Sequence, residues 1–166
     1  DTYFRWHAAK DSWDDAAWQT WMNIGYGATG SSPQISARMQ YFLDGRDETV
    51  MNRDRLLTKA IEMLGAMQDG YRVQDLQVAK LADPALREKM DKFMQDGVNR
   101  GDFMPHDKTV AMEIAGVMLR GTGDGGEADE HDLYARERRA FINLAKSPRT
   151  YARITSMLDG GADIRN

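Results

Sequence analysis

Apolar residues recur every three or four positions along most of the chain, which is the spacing of helices that bury one face. The clearest such segment in the first half begins after Asn52, a good N-cap, and ends at Gly70. Its apolar positions are Leu56, Leu57, Ala60, Ile61, Leu64 and Met67. A shorter stripe formed by Ile35, Met39 and Phe42 predicts another helix over residues 33–43.

The second half repeats this pattern four times. The pairs Asp83-Pro84 and Met104-Pro105 open two helices, because proline suits the first turn of a helix. Their apolar positions are Leu86, Met90, Phe93 and Met94 in the first helix, and Val110, Ile114, Val117 and Met118 in the second. Helices over residues 127–146 and 148–158 follow. The pattern therefore predicts an all-α fold of six or seven short amphipathic helices.

The last two predicted helices are separated at Ser147-Pro148, an N-cap residue followed by a proline. Gly160-Gly161 ends the second helix. The apolar stripes of the two helices are Phe141, Leu144 and Ala145, then Tyr151, Ile154, Met157 and Leu158. We interpret both stripes as packing surfaces. Between the halves, partial alternation over residues 71–82 predicts an extended linker or one short strand.

The first 30 residues are rich in tryptophan and glycine. Asp14 or Asp15 opens a predicted short helix with Trp18, Trp21 and Met22 on one face, which favours core or interface packing over a base-stacking or cofactor surface. Residues 25–30 spell G-x-G-x-x-G, but no convincing strand precedes them, so a nucleotide-binding enzyme is a weak third candidate. Asp44 and Asp47 lie downstream of this motif. Residues 121–126 repeat the motif after a helix and predict a loop.

Composition excludes several classes of protein. The net charge of -4 and the isoelectric point near 5.4 argue against a nucleic-acid binder, which needs a basic face. No cysteine is present, which removes thiolate chemistry and fits a reducing compartment, here expected to be the cytoplasm. No apolar run approaches the roughly 18 residues of a membrane span.

Candidate chemistry is sparse. His7, His106 and His131 each stand without a second ligand at helical spacing, so no metal site and no catalytic residue are predicted. Asp107 falls in the first turn of a predicted helix, where capping is a simpler role than catalysis.

A basic cluster is the main chemical feature. Its members are Arg136, Arg138, Arg139, Lys146, Arg149, Arg153 and Arg165, and an acidic segment over residues 124–132 precedes it. These side chains are either solvated helix faces, an interface for an acidic partner, or contacts to the phosphates of a ligand such as coenzyme A.

Three segments carry a family resemblance. They are Met51-Asn-Arg-Asp-Arg-Leu-Leu57, Gly101-Asp-Phe-Met-Pro-His-Asp-Lys108, and an ending that runs from Arg136-Glu-Arg-Arg-Ala-Phe-Ile-Asn-Leu through Pro148-Arg-Thr-Tyr-Ala-Arg-Ile-Thr-Ser-Met-Leu-Asp-Gly-Gly to Ile164-Arg-Asn166. In this order they resemble the C-terminus of bacterial fused 3-hydroxyacyl-CoA dehydrogenase/enoyl-CoA hydratase proteins. Ala162-Asp163 departs from the Lys-Pro of that family. The resemblance covers residues 31–166 and leaves the Trp-rich residues 1–30 outside it.

The resemblance implies a non-catalytic helical region of a crotonase-type enzyme of fatty acid β-oxidation, because the oxyanion hole, the acidic residues and the NAD-binding domain of the family lie upstream. Coenzyme A thioester and NAD are implied for the whole enzyme and neither cofactor for this chain. The implied partners are the crotonase-type core, the dehydrogenase domains and the acyl-CoA substrate, in an oligomer. Arg149 and Arg153 are the candidate contacts to coenzyme A phosphates. A stand-alone helical module for protein–protein interaction is the alternative.

Overall fold

The computed structural model describes residues 1–26, 30–43, 45–73, 75–121, 123 and 125–166. Within these ranges it contains α1 (Thr2–Lys10), α2 (Trp13–Tyr26), α3 (Pro33–Arg38), α4 (Leu56–Met67), α5 (Ala85–Arg100), α6 (Pro105–Met118), α7 (Glu130–Ala145) and α8 (Pro148–Leu158). Two short strands, β1 (Val78–Lys80) and β2 (Glu127–Asp129), and two 3-10 turns, Arg53–Arg55 and Gln68–Gly70, complete these ranges. The predicted all-α class is confirmed.

The chain forms two compact units, Asp1–Gly27 with Gln77–Asn166, and Ala28–Leu76. The predicted boundary at residue 30 rests on the family resemblance, which leaves residues 1–30 outside it. The compact units divide the chain differently, because the N-terminal helices belong to the same unit as the C-terminal half. No described helix is both long and apolar enough to cross a membrane.

The smaller unit contains α3 and α4. Ser32 caps α3 by accepting a hydrogen bond from the Ile35 amide at 3.2 Å. The helix ends at Arg38, earlier than predicted, because Gln40 turns into the left-handed region with φ 59°. The predicted helix over residues 33–43 was therefore too long. Asp44, one of the two acidic residues noted downstream of the first glycine motif, lies outside the described residues.

Helix α4 confirms the clearest prediction of the first half. Asn52 accepts a hydrogen bond from the Asp54 amide at 2.9 Å and caps the 3-10 turn that leads into the helix. None of its residues is buried, although it carries an apolar stripe. The large side chains left exposed are Leu56, Leu57, Ile61, Leu64 and Met67. Within this unit, α4 is thus an amphipathic helix with an uncovered face.

The core of the larger unit lies between α2, α5 and α6. Trp21 is 0% exposed, and Met90 and Met94 on α5 are fully buried against it. On α6 the buried residues include Ala111 and Ala115 besides the predicted Met118, and the predicted Ile114 and Val117 are partly buried and pack against the core. The predicted apolar face of α6 missed the two alanines, because small residues are needed where a tryptophan approaches the helix.

Helix α1 was not predicted. The side chain of Asp1 makes no capping hydrogen bond, and the helix mixes aromatic and charged residues without a clear stripe. Aromatic contacts with α2 hold it: the Tyr3 and Phe4 rings lie 5.1 and 5.8 Å from the Trp13 ring. The hydroxyl of Tyr3 also donates to the carbonyl of Lys80 at 2.7 Å. The predicted helix count was therefore too low.

Strands β1 and β2 pair antiparallel, with Ala79 opposite Ala128. The extended segment predicted before residue 82 is confirmed as β1. Residues 127–129 were wrongly placed in a helix. Asp129 is the N-cap of α7: its carboxylate accepts from the Asp132 amide at 2.8 Å, and the Asp132 carboxylate accepts from the Asp129 amide at 3.3 Å. This reciprocal capping box starts the helix at Glu130.

Candidate functional site

The predicted ligand contacts Arg149 and Arg153 lie on α8, and this helix packs against the start of α6. Asp107 accepts a hydrogen bond from the Met104 amide at 2.8 Å, which confirms its capping role. Its other carboxylate oxygen lies 2.8 Å from a guanidinium nitrogen of Arg153. One carboxylate therefore fixes both the first turn of α6 and the position of α8.

Arg153 also holds the C-terminal tail, residues 159–166. Its Nε donates to the Oδ1 of Asn166 at 2.9 Å, and one of its terminal nitrogens donates to the Asn166 carbonyl at 3.0 Å. The Asn166 amide group in turn donates to the backbone carbonyl of Arg149 at 3.3 Å. The tail reverses direction first, where Ser156 donates to the Ala162 carbonyl at 2.8 Å.

His106 joins α6 to α8 beside this network. It is 2% exposed, and its Nε2 lies 2.8 Å from the hydroxyl oxygen of Thr150. Burial lowers the pKa of His106, and the guanidinium groups of Arg153 and Arg149 lower it further, while Asp107 opposes the shift. The side chain is consequently held in its neutral form.

A cavity of about 510 Å³ lies under the tail. Tyr26, Phe103 and Ile114 supply apolar walls, and Arg153 and Ile164 close one side. Burial and the nearby Asp107 carboxylate raise the pKa of Tyr26 to about 12, so this phenol stays protonated. Its hydroxyl contacts the sulfur of Met94. The cavity is therefore lined by aromatic rings on one side and by the Arg153–Asp107 ion pair on another.

The basic cluster is divided between structural and exposed members. Arg136 donates to the carbonyls of Gly116 and Leu119 at 3.4 and 3.3 Å, where α6 ends. Arg165 donates to the Asp102 carbonyl at 3.4 Å. Arg165 is exposed as well, and the exposed members without such a backbone contact are Arg138, Arg139, Lys146 and Arg149. The three interpretations of the cluster therefore apply to these four cations and to Arg153 beside them.

Helix α8 is amphipathic, but its polar face contacts the protein and its apolar face is exposed. Thr150, Arg153 and Ser156 face the protein and make the polar contacts described above, whereas the apolar stripe faces outward. Met157 and Leu158 are 72% and 81% exposed, and Tyr151 and Ile154 are also exposed. Polar contacts, not this apolar stripe, therefore dock α8 on the described part of the larger unit, and the interpretation of the stripe as a packing surface stays a prediction.

The other predicted candidates do not form a site in the described residues. His7 stacks on Trp13 at 3.7 Å, and His131 is exposed. No group of three or more His, Asp or Glu side chains in the described part of the chain could hold a metal ion. The glycine motif at residues 25–30 begins within the last turn of α2, not after a strand, and its residues 27–29 lie outside the described ranges, as do residues 122 and 124 of the second motif.

Comparison with known proteins identifies one relative with significant similarity. The chain is similar to a probable 3-hydroxyacyl-CoA dehydrogenase of Bacillus subtilis (strain 168), with 28% identity over 154 residues. This alignment includes 92% of the chain but spans only 19% of the relative. Neither a protein-family model nor a solved structure matches the chain significantly. The similarity is therefore to a part of a dehydrogenase.

Proposed function

We propose that the chain is the C-terminal, non-catalytic helical part, as a fragment or as a subunit, of a 3-hydroxyacyl-CoA dehydrogenase/enoyl-CoA hydratase that acts in fatty acid β-oxidation. In this role its helices pack on a crotonase-type core, support the acyl-CoA pocket and contribute to assembly. The substrate of the whole enzyme is an acyl-CoA, and NAD serves its dehydrogenase reaction.

The observation that carries the proposal is the match of nearly the whole chain to about a fifth of a longer dehydrogenase. A segment that aligns over 92% of its own length with a part of a larger enzyme is expected to work within such an enzyme. The hydratase component rests on the resemblance of the segments at residues 51–57, 101–108 and 136–166.

Exposed apolar faces support an assembly role. Helices α4, α7 and α8 carry large apolar side chains that the described residues of their own unit leave open. Examples are Leu57, Leu64, Phe141, Met157 and Leu158. Contiguous apolar surface of this kind marks sites of protein contact. We propose that the remaining domains of the enzyme cover these faces.

Measuring the native protein tests the proposal directly. If the reading frame is longer or encodes a hydratase core beside this segment, the purified protein has an intact mass above 18.8 kDa and hydrates crotonyl-CoA. Aspartate substitutions at Met157 and Leu158 then weaken assembly, while Lys92→Ala, an exposed change on α5, leaves assembly intact. A complete short gene whose product lacks hydratase activity would refute the assignment.

We also propose that Arg149 and Arg153 contact the phosphates of coenzyme A. Both lie on α8 at i, i+4 spacing, and the exposed Arg149 side chain makes no ion pair with the described residues, which leaves its guanidinium open to an anion. Arg153 already binds Asp107 and Asn166, so its substitution also perturbs the fold.

Titration calorimetry with the complete enzyme tests this contact. Arg149→Ala is expected to weaken coenzyme A binding by about tenfold and to reduce its salt dependence, because a charge-assisted hydrogen bond is lost. Arg149→Ala combined with Arg153→Ala weakens binding further, and Arg138→Ala is the matched control on α7. Unchanged affinity and salt dependence in the double variant would remove the phosphate role.

The second candidate is a stand-alone helical module for protein–protein interaction. The exposed apolar face of α8 favours this second candidate as well, because a helix that docks by polar contacts leaves its apolar face open to a partner. The two candidates differ in gene context: a complete short gene supports the module, and an adjoining hydratase core supports the enzyme.

A further inference from the structure

Helix α8 and the tail are attached to the rest of the larger unit by a small set of polar contacts. His106 reaches Thr150, Arg153 reaches Asp107, and Arg165 reaches the backbone carbonyl of Asp102. The apolar side chains of α8 add little, since they face outward. The position of this segment therefore depends on the charge state of a few groups.

The surroundings of His106 disfavour a positive charge. Two cations, Arg149 and Arg153, approach it from α8, and within the described part of the chain the anion that acts on it is Asp107 on its own helix. Asp107 is already engaged with Arg153 and with the Met104 amide. His106 also lies in the first turn of α6, where the helix dipole favours anions. From the tail, the group that accepts from the Nε of Arg153 is the neutral side-chain amide of Asn166.

We propose that His106 is a pH-sensitive latch: its protonation releases α8 and the C-terminal tail from the start of α6 and opens the cavity that the tail covers. Release moves Arg149 and Arg153 away from the new imidazolium and lets water reach it. The tail leaves together with α8, because the Arg153 side chain binds Asn166. Ile164 and Arg165, which line the cavity, leave with the tail.

This device operates whether or not the chain belongs to a dehydrogenase, because every contact lies within the larger unit. At neutral pH the latch is closed, with neutral His106 bonded to Thr150. As the pH falls below about 6.5, the ordinary pKa of histidine, proton uptake increasingly favours the released form. Each unit by which folding lowers the pKa is expected to change the closed-to-open ratio by up to about tenfold.

Hydrogen–deuterium exchange of the full 166-residue chain, read by mass spectrometry between about pH 8 and about pH 5 and corrected for intrinsic exchange, tests the latch. In the wild type, amides of residues 148–166 are expected to lose protection at the lower pH. Amides of α5 keep theirs, which shows that the response is local.

Three variants make the outcome decisive. His106→Gln is expected to keep residues 148–166 protected across the pH range, since glutamine does not titrate. His131→Gln, a substitution of an exposed histidine, keeps the wild-type response. Arg153→Gln is expected to expose the same amides at both pH values. It leaves His106 intact, so it still tests the latch if His106→Gln does not fold. Wild-type protection that is independent of pH, or a pH response retained in folded His106→Gln, would overturn the proposal.

Discussion

The indole nitrogen of Trp21 on α2 donates a hydrogen bond to the carbonyl oxygen of Ala111 on α6, at 2.8 Å and across 90 positions of sequence. Both residues are buried, and the Trp21 ring also meets the rings of Trp18, Tyr26 and Phe93. This contact joins the N-terminal helices to the C-terminal half. It explains why the aromatic start of the chain belongs to the larger unit.

Trp21→Phe is expected to lower the free energy of unfolding by roughly 1–3 kcal/mol, because it removes the indole donor and leaves a cavity beside Ala111. Urea denaturation followed by far-UV circular dichroism measures the loss. Tyr151→Phe, at an exposed aromatic residue, is the control and is expected to change stability by no more than about 0.5 kcal/mol. Equal effects of the two substitutions would show that Trp21 does not organise the core.

Local chemistry predicted most of the helices. Asn52 and Gly70 mark α4 and its flanking turns, and the Met104-Pro105 pair marks the start of α6. Contacts between distant segments were not accessible from periodicity. Ala111 is buried because Trp21 approaches it, and α1 is held by aromatic rings of α2, so neither position could be recognised from its neighbours in sequence.

The candidate site shows the same division. The sequence identified Arg149 and Arg153 as cations on one helix and Asp107 as a cap. It missed the Thr150 partner of His106 and the role of Asn166, because both contacts depend on how α8 and the tail fold back. The recurrence of polar residues every three positions, at 150, 153 and 156, was the signal that could have shown which face of α8 contacts the protein.

The capping box of α7 is expected to contribute measurably to stability. Asp129→Ala removes the carboxylate that accepts from the Asp132 amide and leaves that donor without its partner, at a cost of about 0.5–2 kcal/mol. Asp129→Asn, which retains an acceptor oxygen, should recover most of the loss. Thermal unfolding of the two variants compares them, and an alanine variant as stable as the wild type would contradict the capping role.

Global stability is expected to fall at mildly acidic pH because the pKa of His106 is lower in the folded protein than in the unfolded chain. Above about pH 6.5 both states are neutral at this residue and His106 adds no pH dependence. Below that pH the unfolded chain takes up the proton first, so stability decreases until the lowered folded pKa is reached, by about 1.4 kcal/mol for each unit of lowering.

Urea denaturation at several pH values measures this slope. His106→Gln is expected to flatten the part of the slope that lies just below pH 6.5, while His131→Gln leaves it unchanged because that side chain is exposed. A slope that is the same in the wild type and in His106→Gln would assign the pH dependence to other groups.

Two helical glycines are expected to respond in opposite directions to the same substitution. At Gly97 on α5, a new Cβ would collide with the ring of Phe103, whereas at Gly65 on α4 nothing lies within 4 Å of the new atom. Alanine has the better helix propensity at both positions, worth about 0.5–1 kcal/mol relative to glycine.

Gly65→Ala should therefore raise stability by about that amount, and Gly97→Ala should lower it by about 1–3 kcal/mol, because the partly buried Phe103 ring must move or strain. Combining Gly97→Ala with Phe103→Leu, which trims the ring, should make the alanine less costly than it is beside phenylalanine. A double-mutant cycle in urea gives this coupling directly. If the two substitutions were additive, the close packing of Phe103 on Gly97 would not be the reason that α5 carries a glycine there.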